Sequence, residues 1–105
     1  MEDPDLLIIA GKLSVDPAQR EAAVAAAREM MAETHKEKGC VAYTFSADLA
    51  DPACFHLFER WESQAALEAH FKAPHMARFQ AAIGKLGVRG MEIQKYTISE
   101  VGPVR

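Results

Sequence analysis

CVAYTFSADLADPACFHLFERW, residues 40–61, decides the fold. Its first nine residues alternate Val41, Tyr43 and Phe45 with Ala42, Thr44 and Ser46, the period-two pattern of a strand with two unlike faces. After the turn LADPA, the alternation resumes as Phe55, Leu57, Glu59 and Trp61 against Cys54, His56, Phe58 and Arg60. Two such runs around a short turn predict a β-hairpin.

On the N-terminal side, Asp16-Pro17 reads as an N-cap with proline in the first turn, and Gln19 stands where a capping-box partner would. Ala23, Val24, Ala27, Met30, Met31 and Thr34 then recur at helical spacing, and Gly39 ends the segment. Before it, LLIIAGKLSV (6–15) predicts a strand apolar on both faces. On the C-terminal side, Ser63 caps a short helix with Leu67, His70 and Phe71 on one side. Pro74 restarts a second helix carrying His75, Met76 and Phe79, and VRGMEIQKYTISEV (88–101) reads as a last strand.

The order is β-α-β-β-α-β, which predicts an α+β, ferredoxin-like fold: an antiparallel four-stranded sheet with helices on one face. The other face stays bare. Because the first and last strands carry apolar residues at both parities, that face is expected to bury against a second copy, giving a homodimer.

Half of the 105 residues are apolar, enough for one core, so residues 1–105 are expected to form one domain. A formal net charge of -3, without a basic block, argues against nucleic acid as a partner. The acidic start MEDPDLLIIAGK fits neither a signal peptide nor a membrane span, so cytoplasmic residence and no membrane partner are expected. Cys40 and Cys54 begin the two hairpin strands and therefore lie at opposite ends, too far apart for a disulfide. Free thiols follow, and no metal-ligand spacing is evident.

FERWESQAALEAHFKAPHMARF, residues 58–79, with GCVAY (39–43) and the Asp51-Pro52 turn, resembles the antibiotic-biosynthesis-monooxygenase family. The likeness runs over about residues 5–101 and implies a dimeric α+β barrel with one pocket per subunit, between the sheet and its helices. It also implies a range of activities: cofactor-free oxygenation of polycyclic phenols, haem degradation and isomerisation. Anthrone oxidisers share Trp61, but Leu57, Leu67 and Ala81 stand where they carry asparagine, tyrosine and arginine. Gly11, His70 and Gln80 replace the asparagine, tryptophan and histidine of the haem degraders.

The resemblance turns the face of Leu57, Glu59 and Trp61 toward the pocket. Glu59, a carboxylate on an apolar face, needs a partner: it either orients a histidine, holds a proton, or accepts structural hydrogen bonds. Trp61 either stacks on a flat substrate or packs in the core. His70 and His75 are candidate bases, because imidazole titrates near neutrality; the alternative is that they fix the break at Pro74. In the oxygenase reading one of them deprotonates a small aromatic hydroquinone or phenol, with Glu59 as its orienter. Tyr43 or Arg78 then donates to the oxyanion, and Leu57, Phe71 and Phe79 complete the wall. No cofactor is expected, since no nucleotide-binding glycine motif or metal cluster is present. An isomerase or lyase using the same residues, and a non-enzymatic ligand-binding dimer, are the rival readings.

Overall fold

The computed structural model describes residues 6–105. Its elements are β1 (Leu7–Ser14), a 3-10 turn (Pro17–Gln19), α1 (Arg20–Thr34), β2 (Cys40–Ala47), β3 (Cys54–Trp61), α2 (Gln64–Phe71), α3 (Pro74–Ile83) and β4 (Gly90–Thr97). The strands form one antiparallel sheet in the order β2-β3-β1-β4. This is the expected α+β, ferredoxin-like architecture.

Alternation works as the sequence suggested. Along β3, Phe55, Leu57, Glu59 and Trp61 are all buried beneath the helices, while His56 and Phe58 are exposed on the other face. Leu7 and Leu13 of β1 join them, and α1 answers with Ala23, Ala27, Met30 and Thr34. One apolar cluster unites Leu7, Met30, Tyr43, Leu57, Trp61 and Leu67; a second unites Leu13, Val15, Ala23, Phe55 and Leu86.

The ends of the elements differ from expectation. Asp16 does cap, accepting from the amide of Ala18 at 3.0 Å, but what it starts is the 3-10 turn. Gln19 makes no capping-box contact and is itself the residue before α1. The last strand is confined to Gly90–Thr97, because β1 offers partners only from Leu7 to Ser14. Gly39 lies beyond the helix end, at a φ of 88° that favours glycine, in the turn that feeds β2. Gly11 has a different purpose. A side chain there would collide with the backbone of Glu92 and Ile93, so glycine lets β4 approach β1.

Two features prepare the site. Ser63 accepts from the amide of Ala66 at 3.1 Å and so starts α2, a cap worth about 1 kcal/mol. Pro74 then begins α3, and the helices turn where the sequence indicated, between Phe71 and Pro74. Cys40 and Cys54 are free. Cys40 sits opposite Trp61, seven residues along β3 from Cys54, which at the rise of a strand is about 23 Å.

Candidate active site

Between the sheet and α2–α3 lies a cavity of about 400 Å³. Ile9, Leu13, Leu57 and Ile93 form its floor; Phe71, Met76, Phe79 and Ile83 form its opposite wall. A second depression of similar volume occurs on the bare face around Lys12, His56, Glu92 and Tyr96. Among the described residues its wall carries no buried ionisable group, so the chemistry points to the first.

Glu59 is the decisive residue. Its carboxyl lines the cavity although the residue is only 6% exposed, and its Oε1 accepts from the indole Nε1–H of Trp61 at 2.8 Å. Burial pushes its pKa up to about 7; the Trp61 hydrogen bond pulls the other way, and the charge of Glu37 adds to the rise. A carboxyl poised near neutrality can both take and return a proton. Tyr43 is its neighbour across β2–β3 and also lines the cavity. Burial raises the Tyr43 pKa further, with Glu59 adding to it, so its phenol stays protonated and can serve as a donor.

His70 and His75 are buried, but neither lines this cavity. Nor is Glu59 the carboxylate that holds them. His70 Nδ1 and His75 Nε2 both donate to Oε2 of Glu37, at 2.8 and 2.5 Å. Glu37, from the segment between α1 and β2, thereby ties that segment to both helices across the break at Pro74. Glu37 was hidden in the charged run HKEKG, which reads locally as a solvated surface. The three groups are of metal-ligand type. Tetrahedral ligands about 2.0–2.1 Å from zinc stand roughly 3.3 Å apart, so both ring nitrogens would have to move away from Glu37 Oε2 to admit an ion there. A metal-ligating histidine usually has a partner for its other nitrogen, and among the described residues His70 Nε2 has none. The geometry fits proton-mediated bonding.

Two other expected wall residues lie elsewhere. Trp61 is fully buried and does not line the cavity; its ring lies under that of His70, with centroids 4.8 Å apart. It supports the wall instead of forming it. Arg78 also misses the cavity, because its Nε donates to Glu29 Oε2 at 3.0 Å, on the outside of α1 and α3. Leu57, Phe71 and Phe79 do line the cavity. His56 pairs with Asp48 at 2.7 Å, and His35 Nε2 contacts the carbonyl of Tyr43 at 2.7 Å; both are outside the cavity.

Residues 6–82 match the family described as antibiotic biosynthesis monooxygenase. Among curated relatives, the uncharacterized protein sll1783 of Synechocystis is 31% identical over 96 residues, which cover 91% of this chain and 65% of that protein. The chain thus spans just under two thirds of that relative's length. "Probable quinol monooxygenase YgiN" of Escherichia coli is 30% identical over 88 residues, covering 74% of this chain and 85% of that protein. Among solved structures, PA3566 of Pseudomonas aeruginosa superposes with a TM-score of 0.81 at 28% identity, covering 92% of this chain and 96% of that one.

Proposed function

Since the chain belongs to the antibiotic biosynthesis monooxygenase family, we infer that it is a cofactor-independent monooxygenase of a small aromatic hydroquinone or phenol. The observation that carries this reading is Glu59, a buried carboxyl held near neutrality on the wall of an apolar cavity. In its ionised form Glu59 takes a hydroxyl proton from the substrate, and Tyr43 donates to the oxyanion that results. The electron-rich anion passes an electron to dioxygen, and the two radicals join through a new carbon–oxygen bond. The O–O bond then breaks and releases water. For a hydroquinone the product is a hydroxyquinone, and the substrate supplies all four electrons, so no external reductant is required. The apolar wall keeps bulk water from the intermediates.

Oxygen uptake with a panel of quinols tests this directly. Uptake is expected, with a rate that rises with pH through about 7 as Glu59 loses its proton. Product formed without oxygen uptake would make the protein an isomerase or lyase; binding without product would make it a ligand carrier.

The working unit in this reading is a homodimer joined through the bare sheet face. Phe58 and Tyr96 are exposed there, beside Ile8 and Ala10. Light scattering at micromolar concentration should give twice the 11.5 kDa chain mass. A stable monomer would remove this interface. None of the described helices is long and apolar enough to cross a membrane, and the two free thiols suit a reducing cytoplasm.

A further inference from the structure

The cavity wall carries two charged side chains, and they stand at opposite ends of one row. Glu59 of β3 and Lys95 of β4 are both register partners of Ile9 in β1, so the floor residue lies between them. With neighbouring strands about 4.8 Å apart, their backbones are about 10 Å from each other. Glu59 is buried at the inner end, whereas Lys95 is exposed at the rim. Among the described residues, Lys95 Nζ has no carboxylate partner. It donates to the side-chain oxygen of Gln64, the first residue of α2, at 3.1 Å, and the amide nitrogen of Gln64 donates in turn to Glu68 Oε2 at 3.2 Å. The other polar groups of the rim, Gln80 and Gln94, are also uncharged.

A flat molecule lying across Ile9 would therefore meet a proton acceptor at one end, apolar surface in the middle and, at the other, a cation that no described carboxylate contacts directly. We propose that the ligand is a hydroxyaromatic acid, with its phenolic hydroxyl at Glu59 and a carboxylate on the far side of the ring at Lys95. This rests on the cavity being the substrate site, and it narrows the substrate class to one carrying an anion remote from the reacting hydroxyl. The lysine would recognise that anion as a point charge, turning its ammonium from Gln64, which does not line the cavity, toward the ligand.

The test is calorimetric titration of the intact protein, under nitrogen, with 6-hydroxy-2-naphthoate and with 2-naphthol. The acid should bind at least 10-fold more tightly, and the ratio should shrink as salt is raised. In Lys95→Met the ratio should fall to near one, while Lys95→Arg should keep most of it. Equal affinities in the unaltered protein, a preference that survives Lys95→Met, or no binding of either probe would each overturn the proposal. Turnover is not involved, so a Lys95-dependent preference in a protein that consumes no oxygen would uphold this inference against the catalytic reading. Oxygen uptake with neutral quinols and no charge preference would do the reverse.

Discussion

Glu59→Gln should lower oxygen uptake by about 100-fold or more, the usual worth of a general base, while leaving a folded protein. Glutamine keeps an oxygen to accept from Trp61 Nε1, so the packing of the indole is preserved. Stability should move in the opposite direction to activity. The folded pKa of Glu59 is raised to about 7, so between its ordinary value of 4.5 and 7 the folded state holds a proton that the unfolded state has released. Stability therefore falls as pH rises through that window and stays lowered above it. A shift of this size corresponds to about 3 kcal/mol. At pH 8 the variant should melt above the unaltered protein, and near pH 4 the two should converge. An uptake rate unchanged by the substitution would remove Glu59 from the chemistry; equal melting curves at pH 8 would show that its carboxyl is not held near neutrality.

Glu37→Ala should cost about 3 kcal/mol, read by urea denaturation. The loss leaves two buried ring nitrogens, His70 Nδ1 and His75 Nε2, without their acceptor, and each bond to a charged group is worth about 1.5–3 kcal/mol. Glu37→Gln retains an acceptor oxygen and should cost less. It also separates a structural role from an electrostatic one. The Glu37 charge helps to hold the Glu59 proton on, so its removal should move the pH midpoint of oxygen uptake downward. Wild-type stability in Glu37→Ala would mean that the clamp contributes nothing.

The hairpin and its inward face were legible because β3 alternates over its whole length, and Glu59 stood out as the one charge among Phe55, Leu57 and Trp61. Depth was not legible. Period two places Trp61 and Glu59 on one side of the sheet, but only packing decides that the indole lies under His70 while the carboxyl reaches the cavity. Partnership was hidden for a related reason. His70 and His75 find Glu37 across 33 and 38 residues, a pairing that no local pattern encodes. Arg78 shows the same gap, since its pairing with Glu29 depends on how α1 and α3 pack.

The order of the strands also bears on how the chain reaches this structure. Tyr43, Glu59 and Trp61 belong to the hairpin of residues 40–61, whose closure is short and therefore entropically cheap. Lys95 belongs to β4, which must find β1 across sequence separations of 76 to 90, the longest among the sheet's strand pairings. Such non-local pairings form late. Hairpin substitutions should therefore chiefly slow refolding, whereas substitutions in β4 should chiefly speed unfolding, as stopped-flow rates would show. On that itinerary the proton acceptor is assembled early, and the rim that would select its ligand arrives as the sheet's last edge is laid down.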